Sequence, residues 1–258
     1  MRNIKMIIQY DGTKYNGWQR LGDTDKTIQG KLEQVLTRMS GTNTEVIGSG
    51  RTDAGVHAIH QVANFYTEDA RKEEEIQAYL NQYLPDDIAV KQVTEVHARF
   101  HSRLNAVSKT YMYRIWNLPY SEPFIRKYSL HIPEPYLKVR AMRKAAGYLI
   151  GKNDFTSFVS RASKKKSNIR TITDIEFEKK EGLVEIRIIG DGFLYNMIRI
   201  IVGTLLEVGL GKMEPEKVAE ILESHDRQMA GPTAPPHGLF LLDVKYPEDD
   251  ETIAEASQ

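Results

Sequence analysis

Two successive β-α-β-β-α-β readings along one chain predict an α+β protein built from two domains. The prediction rests on three observations. Period-two apolar runs alternate with helical-period runs in the same order twice. A length of 258 residues, with 41% hydrophobic and 27% charged, suits two ordinary domains that each bury a core. The absence of cysteine removes a disulfide scaffold as the source of stability. This element order is the ferredoxin-like one, in which helices cover one face of an antiparallel sheet.

The elements follow in order. Asn3 to Tyr10 reads as a strand, and Thr27 to Met39 as a helix, because Ile28, Leu32, Val35, Leu36 and Met39 recur at helical spacing; Gly41 is its stop. Strands are expected at Thr44 to Gly48 and Gln61 to Thr67, then an acidic helix from Lys72 to Tyr83 and a strand at Ile88 to Val96. The second round begins with a strand at Ser108 to Asn117 and a helix over Pro135 to Ile150. Strands at Thr171 to Glu178 and Leu183 to Ile189 come next, then a helix from Phe193 to Val208, a short helix at Glu214 to Glu223 and a last strand at Leu239 to Tyr246. The boundary is placed near residue 104, giving domains 1–104 and 105–247; residues 248–258 form an acidic tail without an apolar period, expected to be frayed.

Composition narrows the chemistry. Lys and Arg number 35 against 35 Asp and Glu, so any nucleic-acid site must be a local patch. Arg161 to Arg170 supplies five cations and no acid, and His97 to Lys109 three more cations with two histidines. Such runs are either solvated loops or a phosphate footprint. Without cysteine there is no thiolate nucleophile and no thiolate zinc or iron-sulfur site. The N-terminus lacks a signal-peptide h-region, and Leu194 to Leu210 is interrupted by Asn196, Arg199 and Glu207, so a soluble cytoplasmic protein is expected.

The segment Ser49 to Ala58, SGRTDAGVHA, places Arg51 and Asp53 among Gly48, Gly50 and Gly55. Glycines let backbone approach a ligand or take positive φ, so the loop can present both charges at a strand end. It matches neither the phosphate-loop pattern nor G-x-G-x-x-G. The residues alone leave Asp53 as either a cap for nearby N–H groups or a reactive carboxylate. Arg199 lies on a polar stripe with Asn196, Gly203 and Glu207, which fits a surface arginine equally well. Tyr111 alternates with Tyr113 and Ile115 on one strand face, an ordinary place for a tyrosine. His57, His60, His97 and His101 offer H-x-x-H and H-x-x-x-H spacings, but no matched ligand set accompanies them and no metal site is expected.

SGRTDAGVHA followed by QVANF resembles the signature of the tRNA pseudouridine synthase A family, enzymes that isomerise uridine in the anticodon stem-loop. The resemblance extends to YDGTKYNGWQR, LPDDIAV, HARF, KTYMYRIWN, GKNDFTSF, FLYNMIRIIVG and GLFLLDVKYP, in order and up to about residue 247; Val96 and Trp116 are minor departures. It implies that Asp53 is the catalytic nucleophile, that Arg199 pairs with it, and that Tyr111 stacks on the target uracil or removes the C5 proton. It implies also that Leu239 packs under that tyrosine and that Arg51 guards the space a flipped base leaves. An active-site cleft between the domains, a homodimer, tRNA as partner, target uridines at about positions 38 to 40 and no cofactor complete the expectation. Two rivals remain: a noncatalytic RNA-binding module, which would want a disabled site, and an aspartate-based hydrolase or phosphoryl-transfer enzyme, which would want metal-binding carboxylates near Asp53.

Overall fold

The computed structural model describes residues 1–160 and 167–247, and the chain divides into two compact units. One unit comprises Met1–Val107 together with the chain from Phe240 onward; the other is Ser108–Leu239. Most of the basic run, Arg161 to Lys166, and the acidic tail from residue 248 lie outside the described residues. Among the described residues, no helix is long and apolar enough to cross a membrane.

In the first unit, strands β1 (Arg2–Tyr10), β2 (Val46–Gly48), β3 (His57–Thr67) and β4 (Ile88–Val96) alternate with helices α1 (Ile28–Ser40) and α2 (Glu73–Tyr83). β1 pairs antiparallel with both β3 and β4, and β2 pairs antiparallel with β3, so the strands run β4-β1-β3-β2, the ferredoxin-like order. The expected helix stripe is the one buried: Ile28, Leu32, Val35, Leu36 and Met39 of α1 share the core with Ile4, Met6 and Ile8 of β1 and Ile76 and Leu80 of α2. Thr27 caps α1 by accepting from the Gly30 N–H, and Gly41 ends it in the left-handed region at φ 74°. At the start of α2, Glu75 reaches back to accept from the Lys72 N–H.

The second unit contains β5 (Ser108–Trp116), β6 (Leu130–His131), α3 (Val139–Gly147), β7 (Gly151–Asp154), β8 (Ile169–Lys180), β9 (Leu183–Gly190), α4 (Met197–Gly209) and α5 (Lys217–Ser224). Its sheet runs β5-β9-β8-β7 with every pairing antiparallel, while β6 lies parallel on β5. The β8–β9 hairpin closes through Glu181 and Gly182, both at positive φ, as the native strand twist favours. Leu118 fills the space a Cβ on Gly182 would need.

Several features differ from the sequence reading, among them β3, which begins at His57 instead of Gln61. The strands β6 and β7 are absent from that reading: β6 has two residues, and β7, Gly-Lys-Asn-Asp, has no apolar residue to alternate. α3 begins at Val139 instead of Pro135: Pro135 O and Leu137 N–H are held by the Asn117 side chain and Lys138 N–H by Gly209 O, which keeps the chain before Val139 outside the helix. α4 begins at Met197 instead of Phe193, because Asn196 takes a left-handed conformation at φ 60°. Finally, the last strand β10 (Leu239–Lys245) does not simply complete a domain of residues 105–247: Phe240 and Leu241 pair in parallel with His57 and Ala58 of β3. The first unit also extends past residue 104, since Val107 N–H donates to Lys245 O. Three successive buried residues, Leu239, Phe240 and Leu241, have no period that could assign this strand to one sheet.

Candidate active site

The loop between β2 and β3 is held from three directions. At its start, Ser49 N–H donates to Val62 O at 2.7 Å, the Ser49 hydroxyl donates to Gln61 Oε1 at 2.7 Å, and Gln61 Nε2 donates to Gly50 O at 3.0 Å. At its middle, the Tyr10 hydroxyl shares a 2.8 Å hydrogen bond with Thr52 Oγ1, and Trp18 N–H donates to Thr52 O at 3.0 Å. At its end, Gly55 N–H donates to Tyr15 O and Val56 N–H to Asp53 O. Burial pushes the Tyr10 phenol well above its ordinary pKa, so it stays a neutral hydroxyl throughout the working pH range.

Glycine is required at two of these approaches. A Cβ on Gly17, which sits at φ 99°, would stand 2.7 Å from Thr52 O, and one on Gly12 would stand 1.9 Å from Val56 O. The strand–loop–strand frame therefore fixes Thr52 as a buried anchor and leaves Asp53 half-buried and Arg51 exposed on either side of it. His57 closes the frame. Its Nδ1 accepts from Gly12 N–H at 3.0 Å, and its ring stacks on Phe240 with centroids 4.8 Å apart.

In the second unit, Tyr111 and Tyr113 of β5 lie opposite Ile188 and Ile186 of β9, and all four are buried. The two tyrosines differ chemically. Tyr113 donates its hydroxyl to Pro235 O at 2.8 Å, and burial raises its pKa while the nearby Arg199 charge lowers it less. Tyr111 instead meets the Phe193 ring edge-on at 5.3 Å and keeps 8% of its surface exposed.

Arg199 sits half-buried on α4. Its Nε donates to Ala234 O at 2.7 Å and its Nη1 to Asn196 Oδ1 at 3.0 Å, while Ala234 N–H donates to the Arg199 carbonyl. The stripe expected to face solvent thus receives the 231–235 segment. A Cβ on Gly203 would stand 1.7 Å from Pro232 O, and Gly231 N–H donates to the Thr204 hydroxyl. Leu239, buried at the segment's end, follows Gly238, where any Cβ would strike the Tyr113 ring.

The predicted residues therefore fall into two sets: Arg51 and Asp53 on one loop of the first unit, Tyr111, Arg199 and Leu239 in the second. The histidines take structural places. His60 lies 3.8 Å from Asp243, its pKa lowered mainly by burial, and His97 and His101 accept from backbone N–H groups of their own loop. Sequence reasoning overlooked Tyr10, Trp18, Phe193, Asn196 and the 231–235 segment. Tyr10 and Trp18 stand at the edges of the YDGTKYNGWQR motif, and Phe193 and Asn196 within FLYNMIRIIVG, so the signal was present without an assigned role.

A family model for tRNA pseudouridine synthase matches residues 6–105 and 145–247. The chain belongs to the tRNA pseudouridine synthase family. Relatives named tRNA pseudouridine synthase A from Bacillus sp. (strain KSM-64) and from Acetivibrio thermocellus are 55% and 44% identical over 246 residues. A tRNA pseudouridine synthase A 2 from Bacillus cereus is 50% identical over the same length. Each alignment covers 95% of this chain and 100% of the relative. A tRNA pseudouridine synthase is an isomerase of uridine to pseudouridine.

Proposed function

We propose that this tRNA pseudouridine synthase acts on uridines of the anticodon stem-loop, at about positions 38 to 40, by extruding the base and attacking with Asp53. The reaction breaks the N1–C1′ bond, turns the uracil while it is held, and joins C5 to C1′. The C5 proton leaves and N1 gains one, so atoms and electrons balance without a redox partner. Asp53 supplies the negative charge that traps or stabilises the electron-poor sugar carbon. Arg199 is assigned as the cation that pairs with that carboxylate in the reaction. Tyr111 gives the uracil a face to stack on and a phenol to take the C5 proton, with Leu239 packed beneath it. Arg51 occupies the space the flipped base leaves. The enzyme works in the cytoplasm as a homodimer with tRNA as its partner.

The observation that carries this reading is the bracing of the Asp53 loop. Thr52, its immediate neighbour, is fixed by a buried hydroxyl and a backbone N–H, while Asp53 keeps access to solvent. Preorganisation of this kind is what a nucleophile needs and an ordinary capping aspartate does not. The test is pseudouridine mapping of an unmodified tRNA incubated with wild type and with Asp53→Asn, without added nucleotide or metal. The wild type is expected to convert the target uridine, and the variant to bind the tRNA with similar affinity but leave the uridine unconverted. Substantial conversion by the variant would sink the nucleophile role. Binding without conversion by both proteins would favour a noncatalytic module.

A further inference from the structure

One end of β5 carries a surface that the catalytic chemistry does not use. Trp116 Nε1 donates to Tyr120 O at 2.7 Å, and the Asn117 side-chain amide donates to Ile132 O and Pro135 O while accepting from Leu137 N–H. Two adjacent side chains thus pin both chain segments that follow. The first segment turns back through Ile125 N–H to Glu122 O and Tyr128 N–H to Ile125 O, and the Ser129 hydroxyl closes onto Ile125 O. The result is a braced tip whose aromatic rings face water: Phe124 is 91% exposed, Tyr120 61% and Tyr136, on the second segment, 60%.

A phenylalanine held that far out of a core gives no folding benefit. The surrounding charge indicates what would cover it. Residues 119–144 contain Arg126, Lys127, Lys138, Arg140, Arg143 and Lys144 against only two acids, Glu122 and Glu134, in a protein of zero net charge. Lys179 also reaches the Tyr136 ring, 5.9 Å from its centroid. Exposed rings interleaved with cations match single-stranded nucleic acid, in which each base has a face to stack and each phosphate a charge to neutralise. Tyr111 lies five residues earlier on the same strand, about 17 Å away. The surface is therefore well removed from the ring proposed to hold the target base.

We propose that Tyr120, Phe124 and Tyr136, with Arg126 and Lys127, form a second tRNA contact that stacks on unpaired bases away from the target uridine. This rests on the assignment of tRNA as substrate. The test compares wild type, Phe124→Ala/Tyr136→Ala and Arg126→Gln/Lys127→Gln in tRNA binding, steady-state isomerisation and sedimentation. The aromatic variant should raise Kd and KM for tRNA about tenfold with kcat and Tm unchanged. The charge variant should weaken binding and lower the slope of log K against log salt by about two. Unchanged Kd and KM in both variants would overturn the proposal, as would a fall in sedimenting mass, which would assign the surface to a second protein copy. A wild-type protein that neither binds nor converts tRNA would instead overturn the substrate assignment beneath it.

Discussion

At the scale of single residues, the proposed chemistry should depend on side chains that brace the Asp53 loop. Tyr10 is the clearest case, because its hydroxyl joins Thr52 and, at 3.4 Å, Gln61 in one buried set beside Asp53. Tyr10→Phe removes the shared partner and leaves Thr52 Oγ1 to find another, at a stability loss of about 1–2 kcal/mol. Its functional effect should be a lower kcat with little change in KM if Asp53 is the nucleophile, because the loop that carries it loosens while RNA contacts persist. A variant with wild-type kcat would show that the backbone bonds alone hold the loop. The two tyrosines of β5 separate in the same way. Tyr113 is committed to Pro235 O and driven away from ionisation, so Tyr113→Phe should lower Tm and leave most of kcat. Tyr111→Phe should remove most of kcat if the phenol takes the C5 proton. Near-normal turnover by Tyr111→Phe would restrict Tyr111 to stacking.

Elements show how much of this was legible in the sequence. Among the described residues, the sequence reading located the five α-helices and every strand except β6 and β7: α1 buries the five residues its spacing nominated, and β4 spans the residues expected of it. Element ends were less legible, since they are set by contacts distant in sequence. The left-handed Asn196 that delays α4 bonds to Ser160, and Asn117 fixes the chain before α3 across 20 residues. Among the candidate site residues, Asp53 and Arg51 stood out through their glycine-rich setting, whereas Tyr10 and Trp18 lie in a motif whose bracing role is tertiary and cannot be read from the motif alone. Arg199 shows why spacing misleads: Asn196, Gly203 and Glu207 look like a solvent stripe, yet Gly203 is small because Pro232 O lies against it. Gly203→Ala should therefore displace the 231–235 segment, at a cost of about 1–3 kcal/mol. It should also lower kcat, because Ala234 O holds the Arg199 guanidinium. Loss of stability with full activity would show that Arg199 keeps its place without that segment.

For the whole molecule, the governing fact is a net charge of zero on a protein whose substrate is a polyanion. Attraction must come from patches: the sequence shows the runs at Arg161 to Arg170 and His97 to Lys109, and the structure adds the stretch from residue 119 to 144 with its exposed rings. Each patch that contacts tRNA contributes counterion release in proportion to the phosphates it neutralises, and the contributions add in the salt slope. Replacing Lys164, Lys165 and Lys166 by Gln should then weaken tRNA binding at moderate salt and reduce the slope of log K against log salt by up to about three. Turnover at saturating tRNA should stay near wild type, because charge that acts through encounter and affinity enters KM before kcat. Combining these changes with Arg126→Gln/Lys127→Gln should give a slope reduced by the sum of the two effects. An unchanged slope in the triple variant would remove the Lys164 to Lys166 run from the tRNA path and leave the other patches as the electrostatic contact.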